Sequence, residues 1–210
     1  MKKGVDISTF QKGINFDKFS ADGIEFAMVR LGFGKDSEDA QAVHFVRELS
    51  KKGIPWGGYW FSYAGNAKEA KEEAEKCLSM IYQCRPLYPI AFDFEYDSVR
   101  YQAGRGNIIT KAKATEIAEA FCSTIQKHNF YTSIYANPDY INKYFDKSLF
   151  EKYDLWLAQW GVDKPTKNCG MWQYTDKGKM KCFPGNIDMN IAYYDYPKIM
   201  EVNGLNIYKP

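Results

Sequence analysis

The chain is poor in the features that mark whole classes of protein. Of its 210 residues only two are histidine, His44 and His128, and both fall in stretches of helical period. Its five cysteines, Cys77, Cys84, Cys122, Cys169 and Cys182, form no CxxC pair and no Cys–His cluster, so no zinc ligand set is apparent. An odd number cannot all pair internally. Cys169 and Cys182 flank an expected strand–turn–strand, where a bridge is open, although spacing alone does not fix the geometry. No stretch approaches the roughly 18 consecutive apolar residues of a membrane span, so no membrane insertion is expected. The formal net charge is only +2, without the concentrated basic stripe of a nucleic-acid surface. Gly32-Phe33-Gly34-Lys35 lacks the spacing of a phosphate loop. Met1-Lys2-Lys3 opens like a signal peptide, but the apolar region that should follow is missing. The expectation is a chain released by a route other than a signal peptide, or one already trimmed.

Aromatic residues, in contrast, are abundant: 16 Tyr, 14 Phe and 5 Trp. Hydrophobic residues make up 45% and charged ones 26%, the balance of a globular domain. Short β-rich runs alternate with longer segments of helical period, the signature of βα units around a parallel sheet. Strands are expected near residues 4–8, 26–31, 56–62, 88–96, 132–135, 155–160, 171–174 and 187–192. Ala67, Ala70, Ala74, Cys77, Leu78 and Ile81 share one helical face, with Lys68, Glu72, Glu73 and Lys76 on a solvated one. Glu72 and Lys76 are spaced as an i,i+4 pair. A second helix runs through Ala114, Ile117, Ala118, Phe121 and Ile125 with Thr110 as N-cap, and an earlier one through Val43, Val46 and Leu49 stops at Gly53. Asn137–Tyr144 suggests a short helix, and from Asp154 onward strands and turns dominate. The expected fold is α/β: one domain, a TIM-like barrel with about five βα units and a strand-rich closing portion.

The segment Pro89-Ile90-Ala91-Phe92-Asp93-Phe94-Glu95-Tyr96 is apolar and aromatic except for two acids. Residues i and i+2 of a strand share a face, so Asp93 and Glu95 are expected to point the same way from a buried strand. Carboxylates kept in such a place are paired, metal-bound or functional. Cleavage of a glycosidic bond needs one carboxyl protonated, to donate to the leaving oxygen, and another ionised, to stabilise or attack the cationic centre. Two acids in an apolar setting push their pKa values apart and supply both states. A salt-bridged pair without catalytic role is the plainer alternative. Asp6 and Asp188 sit on the first and last expected strands, which are neighbours in a closed barrel, so both can reach the same mouth. The four acids could also hold a divalent metal, although no histidine is placed to join them.

Aromatic groups at strand ends offer flat platforms for sugar faces: Tyr59, Tyr63, Tyr135, Trp156, Trp160, Trp172 and Tyr174. Each is as readily a core residue, since only about half the positions of a strand face a barrel mouth.

These pieces together resemble the Ch-type lysozymes of glycoside hydrolase family 25, which include bacteriophage endolysins, almost from end to end. The matching segments are Gly-Val-Asp-Ile-Ser (4–8), Arg-Leu-Gly-Phe-Gly (30–34) and Gly-Ile-Pro-Trp-Gly-Gly-Tyr-Trp-Phe-Ser (53–62). Pro-Ile-Ala-Phe-Asp-Phe-Glu (89–95), Ile-Tyr-Ala-Asn (134–137), Leu-Trp-Leu-Ala-Gln-Trp (155–160), Met-Trp-Gln-Tyr (171–174) and Ile-Asp-Met-Asn (187–190) complete the set. Phe16 stands where the family often has Trp, and Arg100–Asn107 reads as a loop of its own.

The resemblance implies an irregular (β/α)5(β)3 barrel, with residues 1–210 as the catalytic domain; as a departure from the family's pattern, no separate cell-wall-binding domain is expected. It implies cleavage of the β-1,4 bond between N-acetylmuramic acid and N-acetylglucosamine in bacterial peptidoglycan by a cofactor-free monomer acting at the cell wall. Such an enzyme would be a phage endolysin made in the host cytoplasm, or a secreted enzyme with its signal removed. Carried onto matching positions, Glu95 is the general acid, with Asp93, Asp6 and Asp188 in support. Tyr59, Tyr63, Tyr135, Trp156, Gln159, Trp160 and Trp172 form the candidate substrate-binding set. The rivals are a chitinase-like glycosidase, whose longer run of alternating acids is absent before Phe92, an inactive glycan-binding barrel, and a metal-dependent hydrolase.

Overall fold

The structure, a computed structural model, describes residues 1–207. The β-rich runs form β1 (Lys2–Ile7), β2 (Phe26–Phe33), the two-residue β3 (Ser37–Glu38), β4 (Trp56–Phe61) and β5 (Ile90–Asp93). They continue as β6 (Thr132–Ala136), β7 (Asp154–Ala158), β8 (Met171–Met180) and β9 (Phe183–Ala192). The order β1-β9-β8-β7-β6-β5-β4-β2, closed by a parallel β1–β2 pairing, makes a barrel of eight strands, with β3 hung on β2. Every barrel pairing is parallel except those of β9, which runs antiparallel to β8 and β1.

Helices cross between the parallel strands. α1 (Ala42–Lys51) precedes β4, and α2 (Ala67–Ile81) precedes β5. α3 (Tyr96–Gly104) and α4 (Lys111–Lys127) precede β6, α5 (Pro138–Lys143) and α6 (Leu149–Lys152) precede β7, and α7 (Tyr196–Asn203) follows β9. Three 3-10 turns join β1 to β2, and no helix interrupts the run from β7 to β9, so the barrel has the irregular form expected. Thr110 caps α4 as anticipated, its side chain accepting from the Lys113 N–H at 3.3 Å, and Gly53 closes α1 with φ of 65°.

Alternation along the strands sorts side chains into two layers. One parity of β2, β5, β6 and β7 (Ala27 and Val29, Ile90 and Phe92, Ile134, Leu155 and Leu157) packs outward against the helices. The other (Phe26 and Met28, Ala91, Tyr135, Trp156) fills the barrel interior. The N-terminal end of the barrel is plugged by Phe26 stacked on Tyr88, ring centroids 4.2 Å apart, and by Tyr196 and Met200 of α7. Gly4 makes room for that plug: a Cβ there would stand 2.4 Å from the Phe26 ring. The interior is therefore open at its other end, where the strands finish.

Several expectations need correction. The strand anticipated over 88–96 spans only Ile90–Asp93, because Glu95 is already the N-cap of α3. The segment from Arg100 to Gly104 is helical rather than loop, and α7 was not anticipated. Glu73, expected on the solvated face of α2, is 1% exposed, since its carboxyl accepts from the Tyr63 N–H at 3.0 Å. Glu72 pairs with Lys35 at 3.1 Å and Lys76 with Glu38 at 2.6 Å, so cross-element partners replace the i,i+4 pair. All five cysteines are free thiols, and Cys169 and Cys182 are not bridged.

Candidate active site

The inward parity carries the acids. Asp6 lies near the end of β1, Asp93 is the last residue of β5, and Asp188 faces Asp6 across the β1–β9 pairing. Glu95 follows β5 by two residues, on the turn into α3, where its N–H donates to Ser98 Oγ at 3.0 Å. The four carboxyls meet in one cavity of about 190 Å³ at the C-terminal end of the barrel strands, the usual place for chemistry in such folds.

Four acids this close cannot all be ionised. Burial, and then the charge of Asp6, push Asp188 up to about 8. Asp6 and Asp188 share a hydrogen bond, which places a proton between them. Burial also raises Asp6, but its Oδ2 accepts from Asn190 Nδ2 at 2.8 Å and Gln173 Nε2 at 3.0 Å, and both donors favour the anion. Asp6 is thus the charged partner and Asp188 the proton carrier. Asp93, 4% exposed, is driven well above the carboxylate range by burial and by Glu95 and Asp6, with Arg30 opposing. Its Oδ1 is buried without a hydrogen-bond partner in the protein.

Glu95 is pushed up to about 7 by burial and by the charges of Asp6 and Asp97. From the ordinary 4.5 that rise corresponds to roughly 3 kcal/mol, at 1.36 per pH unit. The N-terminus of α3 pulls the other way, by about 0.3–1 kcal/mol for a surface helix end. Burial wins.

The amides that hold Asp6 are themselves oriented. Asn190, fully buried, accepts from Trp156 Nε1 at 2.8 Å, so its nitrogen must face Asp6. Gln173 accepts from Tyr135 Oη at 2.9 Å and from Trp160 Nε1 at 3.1 Å, with the same result. Two amides and three aromatic donors thereby fix one carboxylate. Arg30 also lines the cavity, held by Asp39, whose Oδ2 lies 2.8 Å from both Nε and Nη2. The rings of Phe10 and Phe33 lie 5.2 and 5.5 Å from its guanidinium carbon.

Of the aromatic candidates, Tyr59, Tyr135 and Trp156 line the cavity. Trp160, 49% exposed, stands beside it through its bond to Gln173. Tyr63 lines a neighbouring groove instead. Trp172 has the outward parity and is core, and Tyr174 packs against that same core. The Gln159 side chain accepts from Thr166 N–H and Oγ1 at 3.0 and 2.9 Å, away from the acids. Sequence reasoning missed Ser8, Phe10, Gln11, Arg30, Phe61 and Gln173 in the lining, and Asn190 as the support of Asp6. Parity could have found Arg30, Gln173 and Asn190; Phe10 and Gln11 sit on a 3-10 turn that has no periodic signal.

A family model described as "Glycosyl hydrolases family 25" matches residues 5–182. Lysozyme M1 of Streptomyces globisporus is 21% identical over 209 residues, covering 90% of this chain and 66% of its own length. The autolytic lysozyme of Clostridium acetobutylicum is 23% identical over 192 residues, covering 90% of this chain and 55% of its own length. The chain thus spans between half and two thirds of these curated relatives. Among solved structures, the CTP1L endolysin superposes with a TM-score of 0.81 at 22% identity, over 97% of this chain and 70% of that one. That likeness establishes the shared barrel.

Proposed function

The chain belongs to glycosyl hydrolase family 25, and from that premise we propose that it is a lysozyme, cleaving the β-1,4 bond between N-acetylmuramic acid and N-acetylglucosamine in bacterial peptidoglycan. The observation that carries the reading is Glu95: a carboxyl pushed up to about 7, beside the amide-held Asp6, in the cavity at the open, C-terminal end of the barrel strands. At neutral pH a useful fraction of Glu95 holds a proton, which passes to the glycosidic oxygen as its bond to the anomeric carbon breaks. Positive charge then develops on the sugar and is stabilised by the anionic charge held on Asp6, with Asp93 and Asp188 around it, until water adds to the anomeric carbon and returns a proton to the Glu95 carboxylate. Because Asn190 and Gln173 fix Asp6 in advance, the cluster need not reorganise as the charge appears.

Tyr59, Tyr135 and Trp156 supply apolar walls for the sugar, with Trp160 at the edge. The substrate is the glycan strand, the place of action is the bacterial cell wall, and residues 1–210 act as the catalytic domain, as a monomer.

Replacing Glu95 by Gln tests the assignment. The amide keeps the size and the N-cap position but cannot donate the proton as an acid. The variant should keep the wild-type circular dichroism and melt no lower than the wild type at neutral pH, since the amide removes a carboxyl whose ionisation burial opposes, while losing at least ~10²-fold in rate. A folded Glu95→Gln protein with near-wild-type turnover would refute the role.

A further inference from the structure

Glu73, on α2, is a buried acid outside the acid cavity. Burial pushes it up to about 7, so a carboxyl is kept there although its ionised form is disfavoured. One oxygen, Oε1, accepts from the Tyr63 N–H at 3.0 Å, and the other, Oε2, has no hydrogen-bond partner in the protein. The side chain therefore reaches the loop between β4 and α2 through a single oxygen. Ionisable groups held in such surroundings concentrate at functional sites, and this loop leads to one.

The Ser62 N–H donates to the Asp93 carbonyl at 2.7 Å, which extends the β4–β5 pairing to a residue that carries one of the acids. One residue on, the Tyr63 carbonyl accepts from Gln102 Nε2 of α3. Gln102 is fully buried, and its Oε1 accepts from Asn107 Nδ2 at 2.7 Å, so its nitrogen must face Tyr63. Gly65 leaves room for this contact, since a Cβ there would stand 2.4 Å from Gln102 Oε1. Tyr63 is thus gripped by both its backbone groups, the N–H by Glu73 of α2 and the carbonyl by Gln102 of α3.

That grip bears on the helix that begins after Glu95. α3 has no broad apolar face to seat it: its buried residues, Ser98 and Gln102, are both polar, and Val99 is half-buried against the core. The Glu95 N–H donates to Ser98 Oγ at 3.0 Å, so Glu95 moves with the helix. At the first turn Tyr96 leans on Tyr140, ring centroids 4.6 Å apart. At the far end Tyr101 leans on Tyr63 itself, and Arg105 meets Glu69 at 3.4 Å in an exposed pair of little worth. We propose that Glu73 is a positioning residue for the cleavage: through Tyr63 and Gln102 it fixes where α3 lies, and so where the Glu95 carboxyl stands against the bond to be cut. The proposal rests on Glu95 being the general acid.

Glu73→Ala removes the accepted bond, and Glu73→Gln keeps it, because an amide oxygen also accepts. The assay is kcat, KM and the pH profile on a soluble glycan oligosaccharide, with circular dichroism to confirm folding. Glu73→Ala should lose about 10–10²-fold in kcat with KM unchanged within about twofold, the scale of a misplacement of about 1 Å. Its alkaline limb should move to lower pH, as Glu95 leaves the setting that pushes it up to about 7. Glu73→Gln should match the wild type in both. A role confined to stability would lower the melting temperature of Glu73→Ala and leave its kcat and alkaline limb in place, which would overturn the proposal. So would a Glu73→Gln variant as impaired as Glu73→Ala. Should Glu73→Ala not fold, Gln102→Met breaks the other end of the grip at similar side-chain length. The same loss and the same shift are expected of it, and wild-type values would overturn the proposal equally. A wild type that cleaves nothing, or a Glu95→Gln variant that keeps its turnover, refutes the cleavage reading, and the positioning role falls with it. An active wild type with an inert Glu95→Gln leaves the Glu73 and Gln102 variants to decide this proposal alone.

Discussion

Raising the pH through neutrality titrates Glu95 away from the form that donates a proton. With its carboxyl pushed up to about 7, half of the molecules hold the proton at pH 7, and the fraction falls to about a tenth at pH 8. At the ordinary 4.5 only about 0.3% would hold it at pH 7, so burial raises the active fraction by about 10². Above pH 7 kcat/KM should therefore drop by about tenfold per pH unit. Asp97, exposed in the first turn of α3, is among the charges that raise Glu95, so Asp97→Asn should lower the Glu95 pKa and move the alkaline limb to lower pH. The shift should be a few tenths of a unit, as the removed charge is exposed and screened. The assay is kcat/KM on a soluble oligosaccharide from pH 5 to 9 at fixed ionic strength, which keeps adsorption to the wall out of the profile. An activity flat to pH 9, or an alkaline limb centred near 4.5, would refute the argument from burial.

Two further perturbations probe the supports of the site. Asn190→Ala leaves Trp156 Nε1 without its acceptor and removes one of the two amide donors of Asp6. A buried donor left unpaired and a lost bond to a charged group together cost about 2–4 kcal/mol, so denaturant midpoints should fall accordingly, and a loss below ~1 kcal/mol would contradict the network. Glu73 is raised from 4.5 to about 7, chiefly by burial, so the folded state binds its proton more tightly than the unfolded one. Its contribution is fully present below pH 4.5 and is lost as pH rises through 7. Glu73→Gln removes that titration and should stabilise the protein at pH 8 relative to pH 4, by up to ~3 kcal/mol, as read by melting temperature at both pH values. An identical pH dependence in variant and wild type would contradict the assignment.

The barrel was legible because each strand carries its period of two in plain residues. The same parity that puts Ala91 inside puts Asp93 inside, and the barrel's closure sets Asp6 against Asp188. Glu95 was found by an argument that holds only in part: it shares the cavity with Asp93, yet it stands past the end of the strand, placed there by the start of α3. The apolar run around it hid the turn. Glu73 was misread because helical periodicity treats a charge as solvated, and nothing in the α2 sequence shows that the β4–α2 loop will hand its N–H to that carboxyl. Phe10, 75% exposed at the mouth of the cavity, lies on a 3-10 turn held by a Ser8–Gln11 capping box, which is too short to show any period. α7 escaped notice for a related reason: its eight residues open at Tyr196-Pro197 and bury only Tyr196 and Met200.

The central claim is a particular bond in a particular polymer. Digesting purified peptidoglycan with the protein, reducing the products with borohydride and identifying the new reduced sugar tests it most directly. Reduced muramic acid is the result expected. Reduced glucosamine would contradict the bond assigned, and no new reducing end on several wall types, from folded protein, would contradict the activity itself.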